Sequence, residues 1–297
     1  MLILAAVLVL ILGPLLGLTW LVLKRPLTVW NWLSRNALKK AGLKPKQVPS
    51  PAGPQTVFVG GSGPVLVFLH GAGHQAGTWS TVAPALVKNY TLVIPDLAGH
   101  GDSAPATGLI EASAIVAGLE AVLESQLQGR RAIVIGNSLG AWMAMVVAKR
   151  HPEWLERVVA VNGGPLKGLG QVDLLPRTRE EARQTMAQLR DPSSPAVPDN
   201  VLDDLARRDA RSPIVRFAAS AATMGDWNLD EEQLRTLKVP VTLLWGASDG
   251  LMPLAYAQRM LDSLPDVKLI PIERCGHVPH QESPKRFLEA LRKALAV

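Results

Sequence analysis

Short apolar runs recur along this chain, and segments with apolar residues at helical spacing separate them. Val65–Leu69, Thr91–Ile94, Arg131–Ile135, Val158–Val161, Val241–Trp245 and Lys268–Ile270 read as strands. Ser80–Lys88, Leu109–Leu127, Ala141–Ala148, Leu254–Ser263 and Pro284–Leu295 read as helices. The strand runs are nearly continuous in hydrophobicity rather than alternating, as expected of strands buried on both faces. Strands and helices in turn predict an α/β fold, with a mostly parallel sheet covered by helices on both sides. In such sheets, functional residues gather just past the carboxyl ends of the strands. His70, Ser138 and Asp249 all fall there. The rhythm breaks between about 165 and 227, where helical segments such as Arg179–Arg183 and Val201–Leu205 intervene. That insertion is read as a helical lid over the strand ends.

The first 54 residues carry a different pattern. Leu2–Leu23 holds no charged side chain and is mostly Leu, Val, Ile and Ala. At ~1.5 Å per residue, such a run reaches across the ~30 Å hydrocarbon layer of a bilayer. No basic residue precedes it, and no small-residue cleavage site follows it, so a retained anchor is expected over residues 1–24 rather than a signal peptide. Positive charges follow at once, which places the body on the cytoplasmic side of a single-pass protein. Residues 25–54 are read as an interfacial segment bearing Trp30, Trp32 and Leu33, then a stiff proline-rich linker from Pro45 to Pro54. The catalytic body is expected over 55–297.

Composition narrows this only slightly. The chain has 297 residues, 48% of them hydrophobic, enough for one large core. Its single cysteine, Cys275, excludes an internal disulfide and a cysteine-based metal site, and is read as a small buried thiol. The formal charge is +6, but the clustered part (Lys24, Arg25, Arg35, Lys39, Lys40, Lys44, Lys46) adjoins the apolar run. Anionic lipid headgroups, not nucleic acid, are the expected partner. Oligomeric state is not legible.

The chemistry centres on Gly136-Asn137-Ser138-Leu139-Gly140, between an apolar strand and a helix. A strand, G-x-S-x-G and a helix make a sharp elbow that pushes Ser138 into a strained, exposed position suited to nucleophilic attack. Serine needs a base. Of six histidines, His277 lies between the last strand and the last helix, with His280 its rival. Asp249, just past a strand end, supplies the acid that fixes the imidazole tautomer, with Asp226 and Asp262 the alternatives. Asp96 and Asp102 read as loop architecture. Attack on a carbonyl also calls for two N–H donors, assigned to Leu139 and, from the His70-Gly71-Ala72-Gly73 loop, Ala72. The scheme calls for no cofactor and no metal.

With these pieces in order, and with Pro95-Asp96-Leu97-Ala98-Gly99-His100-Gly101-Asp102-Ser103 between them, the chain from Gln55 onward resembles the α/β-hydrolase superfamily. The resemblance implies the α/β-hydrolase fold. Serine at the nucleophile position tells against haloalkane dehalogenases and related epoxide hydrolases. Leu175-Pro176-Arg177-Thr178-Arg179-Glu180-Glu181 and Val197-Pro198 look like the lid of the membrane-anchored monoacylglycerol lipase-like branch. That likeness implies hydrolysis of lipid-like carboxylic esters through an acyl-enzyme. Gly136-Asn137-Ser138 and Cys275-Gly276-His277 also resemble C–C bond hydrolases of aromatic-ring degradation, although Val278 stands where those usually carry an aromatic. A non-catalytic binding protein on the same fold is the third reading.

Overall fold

A computed structural model describes residues 16–17, 19–168 and 172–296. Most of Leu2–Leu23 therefore lies outside the described residues. Among those described, no helix is long and apolar enough to cross a membrane.

Eight strands form one sheet: β1 (Lys44–Val48), β2 (Gln55–Gly60), β3 (Val65–Leu69), β4 (Thr91–Pro95), β5 (Ala132–Asn137), β6 (Leu155–Val161), β7 (Val241–Gly246) and β8 (Val267–Ile272). Their spatial order is β1-β2-β4-β3-β5-β6-β7-β8. The six strands from β3 to β8 pair in parallel, and β1 and β2 pair antiparallel. Among the described residues past Arg25, the helices are α1 (Pro26–Lys40), α2 (Ala83–Leu86), α3 (Ala112–Leu127), α4 (Leu139–Arg150), α5 (Arg179–Leu189), α6 (Asp199–Ala206), α7 (Pro213–Ala218), α8 (Ala221–Met224), α9 (Glu231–Arg235), α10 (Leu254–Ser263), α11 (Pro279–Glu282) and α12 (Pro284–Leu295).

The pleat of β3 divides the core. Val65, Val67 and Leu69 join Ile115, Leu119 and Leu123 of α3 and Met143 and Val147 of α4 on one face. Leu66 and Phe68 point the other way, to Leu38 of α1, Trp79, and Phe287 and Leu291 of α12. Phe287, Ala290, Leu291 and Ala294 form the buried stripe of α12, an i, i+3, i+4, i+7 pattern that fixes its inner face.

Three expectations need correction. Residues 44–48 are not linker: they form β1, with Pro45 opposite Phe58. An edge strand accepts proline because its outward N–H has no ladder to join. The expected helix Ser80–Lys88 is instead a 3-10 turn, Ala76–Thr81, followed by the short α2. Arg35 is not part of a lipid-facing basic cluster. It turns inward from α1 to pair with the buried carboxylate of Asp96 at 2.7 Å, and it also meets Asp102. Asp96 accepts the Ala76 and Asp102 N–H groups as well, so α1 is bolted to the loops that follow β3 and β4. The opposite side of α1 stays open to solvent, with Trp32 65% and Leu33 50% exposed.

The region expected to be a lid holds α5 to α8. Thr178 caps α5 by accepting the Glu181 N–H. Arg216 of α7 donates to the carbonyls of Gly99, Pro105, Thr107 and Gly108, stapling that end of the insertion to the loop after β4.

Candidate active site

Ser138 joins β5 to α4 with φ +54° and ψ −116°. This is the positive-φ conformation expected of the elbow, and it costs of order 1–3 kcal/mol for a non-glycine residue. The surroundings hold it there. The Ser138 N–H donates to Val161 O at 3.0 Å, and its carbonyl accepts from Ala141 and Trp142. The flanking glycines permit the bend: a Cβ at Gly136 would lie 2.3 Å from the Gly140 carbonyl.

His277 follows β8 and is buried. Its Nδ1 lies 2.7 Å from Asp249 Oδ2. Asp249 is fully engaged: Oδ1 accepts from Leu251 and Met252 N–H, and Oδ2 also accepts from Asn162 Nδ2 at 2.7 Å. Ser138 and His277 line one cavity of about 640 Å³ including its mouth. Among the described residues no hydrogen bond joins the Ser138 hydroxyl to His277, and such bonds commonly tighten only when substrate is present. Gly71 packs on the elbow, where a Cβ would meet Ser138 Cβ at 3.3 Å. That brings Ala72 to the same cavity. Leu139 opens α4, so its N–H has no partner within the helix.

The other candidates lie elsewhere. His280 is buried in the core, stacked on Trp79 at 3.9 Å, with Nε2 against Thr78. His70 bonds Gly71 O through Nδ1 and accepts Leu97 N–H at Nε2, clamping two loops. Burial holds His100 down to about 4. Cys275 is buried, and burial raises its thiol.

Residues 66–290 match the alpha/beta hydrolase family. The chain belongs to that family. It is 30% identical over 249 residues to the pimeloyl-[acyl-carrier protein] methyl ester esterase of Aromatoleum aromaticum, covering 75% of this chain and 94% of that one. It is 27% identical over 252 residues to a 2-hydroxy-6-oxononadienedioate/2-hydroxy-6-oxononatrienedioate hydrolase of a Pseudomonas species, covering 78% and 88%. Among solved structures, a membrane phospholipase A superposes with TM-score 0.79 at 23% identity, over 100% of this chain and 98% of that one.

Several further residues of this alpha/beta hydrolase hold the site through hydrogen bonds. Asn137 donates to the carbonyl of His277 at 2.9 Å, tying the elbow to the histidine loop. Asn162, at φ +45°, binds Asp249 through Nδ2 and accepts the Gly246 N–H at Oδ1. Glu282 accepts from Gly276 N with one oxygen and from Asp191 N and Ser194 with the other. The C-terminal turn of α5 leaves carbonyls without helical partners. Gln188 O receives the Gly250 N–H, and Leu189 O receives that of His277. Asp191, just beyond, accepts from Ser193 and Ser248, and these bonds hold its carboxyl down to about 2.

Proposed function

We propose that this protein hydrolyses lipid-like carboxylic esters, such as monoacylglycerols, with Ser138 as nucleophile, His277 as base and Asp249 as its orienting acid. One observation carries the reading: a positive-φ serine shares a mostly apolar cavity with a buried histidine whose Nδ1 is fixed by a carboxylate. His277 Nε2 takes the Ser138 proton as Oγ attacks the ester carbonyl. The Ala72 and Leu139 N–H groups receive the developing oxyanion. Collapse expels the alcohol with the proton from His277, and water then cleaves the acyl-enzyme by the same route. Leu174, Pro176, Met186, Leu205, Ile214 and Leu251 give the cavity walls suited to an acyl chain.

The same reading holds the enzyme at a membrane. The apolar run over residues 1–24 acts as the anchor, with the body on the cytoplasmic side. The exposed Trp20, Leu23, Trp30, Trp32 and Leu33 enter the headgroup layer.

The test is turnover of p-nitrophenyl esters from acetate to palmitate in detergent micelles, with Ser138→Ala as control. Activity lost in that variant, with a medium- or long-chain optimum, is the expected result. A sharp acetate optimum removes the lipid part of the reading. Folded protein that cuts no ester removes the rest, and points to C–C bond cleavage or to a non-catalytic role.

A further inference from the structure

Most charged side chains around the cavity have partners. Glu282 is engaged by three donors, and Asp204 accepts from Arg25 at 3.4 Å and from the Leu27 N–H at 3.0 Å. Arg208, in the loop after α6, differs. Among the described residues its guanidinium makes no hydrogen bond and no ion pair, although Asp204 lies near enough to be felt electrostatically. Burial pushes its pKa down from the usual arginine value. A guanidinium nonetheless stays charged in proteins, and Arg208 is half-buried, so its unpaired nitrogens are open to the cavity rather than sealed in the core.

Arg208 lines two spaces that meet. One is the cavity of Ser138 and His277. The other is a larger groove between the insertion and α1, walled by Leu27, Trp30, Val197 and Val201. His74 lines both as well. Its Nδ1 is buried and has no hydrogen-bond partner among the described residues. Burial, with help from Arg208, lowers His74 to about 4, so it is neutral near pH 7 and carries one N–H to donate. Among the described residues no carboxylate lines the Ser138 cavity, and Glu282 in the groove is already engaged. One unpaired cation therefore faces the path to the nucleophile beside the His74 ring, whose sealed Nδ1 leaves Nε2 as the nitrogen open to a ligand.

We propose that Arg208 and His74 form a subsite for an anionic group, phosphate or carboxylate, carried on the same molecule as the ester cut at Ser138. The inference rests on the ester-hydrolase reading and narrows its substrate to acidic amphiphiles. Arg208 provides charge-assisted donors in a planar fork, and His74 provides a neutral donor. The apolar walls on either side take the chain that links anion to ester.

The test compares three esters on the full-length protein in neutral detergent: 1-decanoylglycerol, 1-decanoylglycerol 3-phosphate and decyl hemisuccinate. The expected result is a higher kcat/KM for one of the two anionic esters than for the neutral one. Arg208→Met should cut that anionic-to-neutral ratio roughly 10- to 100-fold, the scale of a lost charge-assisted hydrogen bond, and Arg208→Lys should restore part of it. Preference for the phosphate identifies a lipid phosphate as the natural group, and preference for the hemisuccinate identifies a dicarboxylate half-ester. A ratio unchanged in Arg208→Met overturns the subsite. Calorimetric binding of octyl phosphate, octanoate and 1-octylglycerol to Ser138→Ala protein gives a reading independent of turnover. Tighter binding of an anion than of the glycerol ether, weakened at least about tenfold by Arg208→Met, supports the subsite even if no ester is cut. Normal turnover of 1-decanoylglycerol with no preference for, or binding of, either anion overturns the subsite and leaves the hydrolase reading standing.

Discussion

Gly163, just past β6, gives the sharpest handle on the nucleophile, because the three atoms nearest a Cβ placed on it are all backbone atoms of Ser138. A Cβ placed on it would lie 2.4 Å from Ser138 O, 2.5 Å from Cα and 2.7 Å from N. Ordinary contact begins near 3.4 Å, so Gly163→Ala must separate these backbones by about 1 Å. The strain has little room to dissipate. Ser138 is pinned by its own N–H to Val161 and by two N–H groups on its carbonyl, and none of these contacts is a flexible side-chain end. A shift of ~1 Å at a reacting group costs on the order of 100-fold in rate. Overpacking of this kind costs ~1–3 kcal/mol of stability. We expect Gly163→Ala to fold with a Tm lower by a few degrees and to lose on the order of 100-fold in kcat. The assay pairs kcat on a p-nitrophenyl ester with the rate at which a fluorophosphonate labels Ser138, so that a mispositioned hydroxyl is told apart from a damaged binding cavity. Wild-type kcat and labelling rate in the alanine variant would refute the argument that this close approach sets the serine.

Other outcomes follow from the same geometry. Asp249→Asn should leave the fold in place and lower kcat by about 10³–10⁴, because His277 loses its tautomer control; a loss under tenfold would exclude Asp249 from the triad. Phe287→Ala empties a fully buried site on α12 and should cost ~3–5 kcal/mol in chemical unfolding, and a cost below ~1 kcal/mol would contradict the packing described. His100 is neutral in the fold at about 4, below the ~6.5 of the unfolded chain, so its contribution is complete above pH 6.5 and is lost as pH falls toward 4. His100→Gln should flatten the fall in stability between pH 6.5 and 4 by roughly 3 kcal/mol, and an unchanged slope in urea titrations would rule His100 out as its source.

The legible parts of this molecule were those whose cause is local. The elbow could be read because the strand, the two glycines and the serine that define it are consecutive, and its positive φ follows from their crowding. The parallel strands could be read because burial on both faces leaves uninterrupted apolar runs. β1 could not: Lys44, Pro45, Lys46 and Gln47 are polar or ring-locked, and only the pairing partner β2 makes them a strand. Arg35 looked like one more juxtamembrane cation, and only the fold brings it to Asp96. Asn162 and Glu282 were silent for a related reason. Each acts through hydrogen bonds to residues that approach only after the sheet and the insertion have closed, and an asparagine after a strand or a glutamate in a short helix looks like any other.

The carbonyls of Gln188 and Leu189 have a consequence for two loops. The helix over the cavity ends on the N–H groups of Gly250, next to the proposed acid Asp249, and of His277, the proposed base. Displacing that helix end would break both bonds at once. On the proposed reading, the acid loop and the base loop therefore share one support, and a change at that helix end would reach both together.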